Sequence, residues 1–306
     1  MLKQRVITAL ILVALLLPTL MAETAWPFAV LTLVFISAAG WEWSRLNGAP
    51  GARAVLQGVA VAGGCIYVAT VWHLPLWASV SQAAQAVPHV HQWGHALVGF
   101  STPAALWLAA LGLWLVGGAA ALRWGNVHWL QVPQGLRRVL GLVLLVLAWM
   151  ALVESKSQGL NYMLSVFCLV WAADIGAYFG GRAFGKRKLA PTISPGKSWE
   201  GVVAGLLTVL LVSALWLWVD QQWGMDSPSL YSRLHWGLGT LGMVASLVLL
   251  TGMSVMGDLF ESLIKRQAGA KDSSQLLPGH GGVLDRVDAL LPVLPATLAL
   301  MSLCHG

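Results

Sequence analysis

The chain has 306 residues, of which 18 are Lys or Arg and 12 are Asp or Glu. Charged residues make up 10% and apolar residues 58%, with a mean hydropathy of +0.73; a soluble fold of this size needs a larger polar shell, and disorder needs the opposite composition. The reading is an all-α, polytopic integral membrane protein, in which the net charge of +6 reflects basic loops at an anionic membrane surface and not a nucleic-acid partner.

A spanning helix takes roughly 20 mostly apolar residues, and about nine such runs follow one another. The first lies near 6–22. Lys3 and Arg5 before it, and small residues after it, also suit a signal peptide. Its apolar run of about 17 residues is long for one, so a retained helix is expected. Spans near 26–43 and 54–72 come next. Segment 73–101 has no Lys or Arg and carries His73, His89, His91 and His95 with Trp72, Trp77 and Trp93. Zinc on His89, His91 and His95 would lack a carboxylate or Cys to complete it; an outer interfacial loop with an aromatic belt accounts for the same residues. Spans near 102–122 and 139–153, the latter short, complete residues 1–155, read as N-terminal transmembrane helices. Cys65, Cys168 and Cys304 match no metal spacing and read as buried small hydrophobes.

Residues 156–306 read as the catalytic transmembrane domain, because the composition shifts there. Before residue 170 the only acids are Glu23, Glu42 and Glu154. The span near 160–180 contains Asp174, and an ionisable group inside a span marks function by default. Tyr178 shares its helical face at i+4, and Gly176 with Gly180 forms a small-residue pair for close helix packing. The following loop holds Lys186, Arg187 and Lys188, then Ser194-Pro195-Gly196-Lys197-Ser198-Trp199-Glu200-Gly201. Cations, hydroxyls and a Gly at a helix start suit a phosphate. A P-loop is excluded: Pro191 stands where its first Gly belongs, and no preceding strand is expected.

Spans near 201–219 and 236–257 lead to the densest cluster: Asp258, Glu261, Ser262, Lys265, Arg266, Lys271, Asp272, then Pro278-Gly279-His280-Gly281-Gly282 and Asp285, Arg286 and Asp288. The last span lies near 287–304. Asp258 with Glu261, and Asp285 with Asp288, are i, i+3 pairs. Carboxylates without clustered Cys or His suit Mg²⁺ rather than zinc. Interleaved cations suit a polyphosphate, and Gly281-Gly282 lets backbone N–H groups approach an anion. No nucleophile–base set implies a covalent intermediate. These residues point to a Mg²⁺-dependent phosphoryl or nucleotidyl transferase, with nucleotide and acceptor left open.

Orientation comes from the cations. With a cytoplasmic N-terminus and nine spans, all Lys and Arg except Lys156 and Arg233 fall on the inner side. All three clusters fall there too. A transporter, the alternative from another class, would spread charge along a path through the bilayer.

The stretch from Ser262 to Asp288 closely resembles the signature of the phosphatidate cytidylyltransferases, or CDP-diacylglycerol synthases. The segment Ala190 to Gly201, and Asp174 with Tyr178, Gly181-Arg182 and Phe184-Gly185-Lys186, resemble that family as well. Ser198 departs from it, since Thr is commoner there, but keeps the hydroxyl. The resemblance covers residues 170–290; earlier residues match only as apolar spans. It implies transfer of CMP from CTP to phosphatidic acid, giving CDP-diacylglycerol and pyrophosphate for phospholipid synthesis. It also implies Mg²⁺, with room for a second cation, a homodimer and, in bacteria, the inner membrane with the site facing the cytoplasm. Asp258, Asp285 and Asp288, and more weakly Asp272, become the expected metal ligands. Lys265 and Arg266 are expected to act in catalysis. Ser194, Lys197, Ser198, Lys271, His280, Gly281, Gly282 and Arg286 are expected to hold substrate. Another lipid phosphate as acceptor stays open.

Overall fold

The computed structural model describes residues 2–49, 51–77 and 101–304. His89, His91, His95 and Trp93 lie outside the described residues. Helices α1 (Leu2–Met21), α2 (Trp26–Leu46) and α3 (Ala52–Val71) come first. Helix α4 (Ala104–Gly112) runs through a π-helical stretch, Leu113–Gly118, into α5 (Ala119–Gln131). Helices α6 (Gln134–Ser157) and α7 (Leu160–Phe184) follow. A short hairpin, β1 (Lys188–Ala190) with β2 (Ser194–Ser198), leads into α8 (Trp199–Gln222). Then come α9 (Leu230–Gln267), α10 (Leu284–Val287) and α11 (Leu290–Leu303). Among the described residues, nine helical spans are long and apolar enough to cross a membrane.

Two elements differ from expectation. The fifth span is not short. Its helix runs over 24 residues, because the charges that end the apolar window, Glu154 and Lys156, are buried and satisfied rather than solvated. The 182–201 loop contains an antiparallel hairpin, paired Lys188 to Ser198 and Ala190 to Ser194. Gly196-Lys197-Ser198 therefore lies within a strand, which is not a P-loop conformation.

Helix α11 is the axis of the bundle. Leu291, Val293, Leu294, Ala296, Leu298 and Ala299 are all buried, and α11 packs on α4, α6, α7 and α9. By contrast α1, α3 and α8 turn large apolar side chains outward, among them Val13, Leu17, Leu56, Leu207 and Leu211. Such a surface is stable where the solvent is lipid.

Trp43 of α2, Trp114 of the π stretch and Trp129 of α5 surround Phe260 of α9. Ring centroids lie 5.4 to 6.0 Å from Phe260, within the range of favourable aromatic pairs. Trp43 Nε1 donates to Arg137 O at 2.8 Å, and Trp129 Nε1 to Asn47 Oδ1 at 3.1 Å. This knot fastens the N-terminal helices to α9 beside Asp258 and Glu261.

The close contact of α7 and α8 rests on small residues, as the Gly176–Gly180 spacing predicts. A Cβ at Gly180 would overlap Ala204 Cβ, and one at Gly176 would overlap Thr208 Oγ1. From the other side, a Cβ at Gly201 would lie 2.8 Å from Ala177 O. Gly201 is thus required for helix contact.

At the far end of the bundle, Lys156 and Arg233 are 2% and 3% exposed. Lys156 Nζ donates to Ala22 O at 3.0 Å. Arg233 donates to Gln158 Oε1 at 2.6 Å and stacks over the Tyr162 ring at 4.7 Å. These two exceptions to the charge asymmetry are buried braces, whereas the asymmetry rule concerns loop charges.

Candidate active site

The three clusters converge where the ends of α7, α9 and α10 meet the hairpin. The hairpin places Lys197 on β2, and its Nζ pairs with Asp258 Oδ2 at 2.6 Å. Arg266, near the end of α9, donates through Nε to Ile193 O at 3.3 Å and so docks the hairpin turn on that helix. Ile193 itself is buried. Glu200, in the first turn of α8, accepts the backbone N–H groups of Lys186 and Arg187, each at 3.1 Å to Oε2. This closes the base of the hairpin.

Ser198 is the N-cap of α8. Its hydroxyl accepts from Gly201 N at 3.2 Å, and the residue is 4% exposed. A Ser at this position satisfies one orphan donor of the helix start. Ser194 begins β2 and is half-buried.

Lys265 lies between two carboxylates. It pairs with Glu261 one turn earlier on α9 and with Asp285 Oδ1 at 2.7 Å. Asp285 Oδ2 accepts from Gly282 N at 2.7 Å, Ser273 N at 2.9 Å and Ser273 Oγ at 2.9 Å. The glycine amide expected to meet a ligand anion therefore meets an anion of the protein. Asp288 is within electrostatic reach of Asp258, Lys265 and Lys197, and makes no ion pair among the described residues. Asp174 is within reach of Asp258 and Lys197.

Leu277 to His280 forms a tight turn, with His280 N donating to Leu277 O at 2.8 Å and Gly279 at φ +77°. Pro then Gly at its two centre positions is what that turn demands. Gly281, at φ +82°, lies between Asp285 and Asp272: a Cβ there would be 2.7 Å from Asp285 Oδ2 and 3.5 Å from Asp272 Cβ. Arg286 donates through Nε and Nη2 to His280 O at 3.0 and 2.5 Å. The turn also touches α1, where Thr8 Oγ1 donates to Pro278 O at 2.9 Å. Lys271 and Asp272 line a cavity of about 650 Å³ with Arg45, Ser273, Ser274 and Gln275.

One residue of the site carried no expectation. Glu42 on α2 is 0% exposed. It accepts from Ser274 Oγ at 2.5 Å, Ser273 Oγ at 3.1 Å, Val283 N at 3.0 Å and Leu284 N at 2.7 Å. A signal was present: a lone acid inside an apolar span, the same criterion that singled out Asp174.

The site thus brings together carboxylates and ammonium groups at helix ends, next to a basic hairpin. That arrangement suits a small anion carried by a hard cation. The sequence matches the Cytidylyltransferase family over residues 3–304. The chain belongs to that family. A phosphatidate cytidylyltransferase of Pseudomonas aeruginosa is 40% identical over 306 residues, covering 98% of this chain and 97% of the relative. One from Haemophilus influenzae is 36% identical over 298 residues, 96% of each chain. One from Staphylococcus saprophyticus is 41% identical over 150 residues, 49% of this chain and 52% of the relative. As a cytidylyltransferase-family member the chain is a nucleotidyltransferase.

Proposed function

We propose that this protein transfers CMP from CTP to phosphatidic acid, releasing pyrophosphate and forming CDP-diacylglycerol for phospholipid synthesis. Membership of the family and the names of full-length relatives support the reaction. The observation that carries the site assignment is the convergence of the Lys197–Asp258 pair, Asp288 and the Glu261–Lys265–Asp285 triad at one set of helix ends.

The donor set fits Mg²⁺ by its chemistry. Asp258, Asp285 and Asp288 offer only oxygen, and lysine ammonium groups already sit on two of them. Among the described residues no three His, Cys, Asp or Glu side chains are grouped so as to hold a metal ion by themselves. Mg²⁺ typically binds one or two carboxylates and completes its shell with water and substrate phosphate. Asp258 and Asp288 would be the pair that holds it; Asp285, whose oxygens already take Lys265, Ser273 and Gly282, and Asp272 would lie beside them. When bound, the ion would neutralise phosphate charge and polarise the reacting phosphoryl group.

In the reaction, a phosphate oxygen of phosphatidic acid attacks the α-phosphorus of CTP in line. The new P–O bond forms as the bond to the β-phosphate oxygen breaks, and pyrophosphate leaves with that electron pair. The acceptor is already anionic, so no strong general base is needed. Rate comes from positioning and charge stabilisation. Lys197, Lys265, Arg266, Lys271 and Arg286 would supply cations to the phosphates, and His280 and Ser194 would donate to them. Ser198 supports the hairpin from its capping position. Asp174, within electrostatic reach of Asp258 and Lys197, would support the metal site or line the lipid's approach. We assign this chemistry to headgroup level on the cytoplasmic face of a bacterial inner membrane, the side that the Lys and Arg asymmetry favours, with a homodimer as the proposed assembly.

The test is direct. Purified protein in detergent receives labelled CTP with phosphatidic acid or other lipid phosphates, with Mg²⁺ or with chelator. Label should pass to phosphatidic acid only with Mg²⁺. If label moves to another lipid phosphate and not to phosphatidic acid, the acceptor is misassigned.

A further inference from the structure

Glu42 lies on the second helix of the chain, more than 230 residues from the groups it bonds. Its four hydrogen bonds fall into two sets. Val283 N and Leu284 N are free donors at the start of α10, the turn that carries Asp285 and leads to Asp288. Ser273 and Ser274 belong to the loop that returns from α9. One carboxylate therefore fixes both walls of the Asp285 loop against α2.

The link to the reacting centre is short. Ser273 Oγ is 3.1 Å from Glu42 Oε2 and 2.9 Å from Asp285 Oδ2. Asp285 in turn holds Lys265 at 2.7 Å. The close approach of Glu42 also sets the residue allowed at position 282. A Cβ there would overlap both Ser273 Oγ and Glu42 Oε1. Gly282 is needed at least as much for this internal carboxylate as for any ligand.

We infer that Glu42 is a positioning residue: through Ser273 and the start of α10 it sets where Asp285, and hence Lys265, stand. A buried carboxylate with four donors is strongly held, and its side chain sits on an element that the Phe260 aromatic knot has already immobilised. A group that works this way should affect turnover more than substrate affinity. Misplacement by about 1 Å is enough to lower rates by about 100-fold.

The inference rests on the proposed CMP transfer, and the experiment separates the two. Glu42→Gln and Glu42→Ala are purified in detergent beside the parent protein and compared for melting temperature, kcat and KM for CTP. Glu42→Gln retains the shape and one acceptor oxygen. It should fold, with kcat per folded molecule lowered tenfold or more and KM for CTP within threefold. Glu42→Ala should lose more. Hydrogen exchange at the amides of Val283 and Leu284 should quicken in both. If Glu42→Ala does not fold, Ser273→Ala tests the same link, with an expected smaller fall in kcat. Folded Glu42→Gln and Ser273→Ala with parental kcat would overturn the inference, as would a change confined to KM. A parent protein that transfers no CMP would instead refute the proposed function.

Discussion

Lys265 and Lys197 both pair with carboxylates, but their surroundings separate their roles. Lys265 is flanked by Glu261 and Asp285 in a largely buried pocket. Removing it leaves two carboxylates facing each other, and such a loss of one buried partner costs about 3–5 kcal/mol. Lys197 and Asp258 keep 25% and 33% of their side-chain surface exposed, where a pair is worth about 1 kcal/mol or less. Lys265→Met should therefore lose both activity and melting temperature. Lys197→Ala should melt within a few degrees of the parent while losing about 100-fold in kcat/KM, the scale for one lost charge-stabilising donor. Parallel melting and turnover measurements check this; equal thermal losses would contradict it. The residues of this pocket were legible because they lie in dense local runs. Glu42 was legible only as a lone acid in an apolar span, since its partners lie in the distant Ser273–Leu284 segment and nothing near it in sequence forms a motif. The structural contacts of Arg266 and Ser198 were also hidden: a run of cations and hydroxyls does not reveal that one docks the hairpin turn and the other caps a helix.

At the scale of elements, α7 and α8 determine whether Asp174 and Lys197 reach the same site. Their contact at Gly180 leaves no room for a Cβ. Gly180→Val should push the helices apart, at the roughly 1–3 kcal/mol typical of overpacking, and should lower turnover because Asp174 and the hairpin move with them. A melting curve and a CTP assay on the same preparation test this. Parental values in both would mean that the two helices adjust freely. The nine spans were legible because apolar length is a strong signal in a lipid environment. The hairpin was not, for its strands are three and five residues long, too short and polar for alternation to show. The start of α6 was missed where Arg137 and Arg138 interrupt the apolar run, although its first turns are fastened to α2 by Trp43.

For the whole molecule, the up-and-down order of the spans puts the hairpin, the 277–281 turn and the first turn of α1 at one end. Asp220, Asp226 and Arg233 brace the other. Asp226 accepts from Asn161 N at 2.9 Å, and Asp220 from Ser229 N at 3.0 Å. A membrane-impermeant thiol reagent should label Lys186→Cys in inside-out vesicles and leave it untouched in right-side-out ones; the reverse pattern would invert the proposed topology. Helix α9 adds a constraint of a different kind. It breaks at Gly239 (φ 69°, ψ 177°) and then continues to Gln267, a stretch of about 42 Å at 1.5 Å per residue, against a hydrocarbon layer of about 30 Å. With Gly239 at the far edge of that layer, the last turns, carrying Glu261, Lys265 and Arg266, reach beyond the acyl chains, and α9 would act as a ruler between the bilayer and the plane of reaction. The height of that plane is fixed by the protein, while the height of the lipid phosphate is fixed by the membrane. Hydrophobic mismatch then becomes a kinetic variable. In vesicles of graded chain length, activity should peak at one thickness and decline on both sides, without any change in the protein.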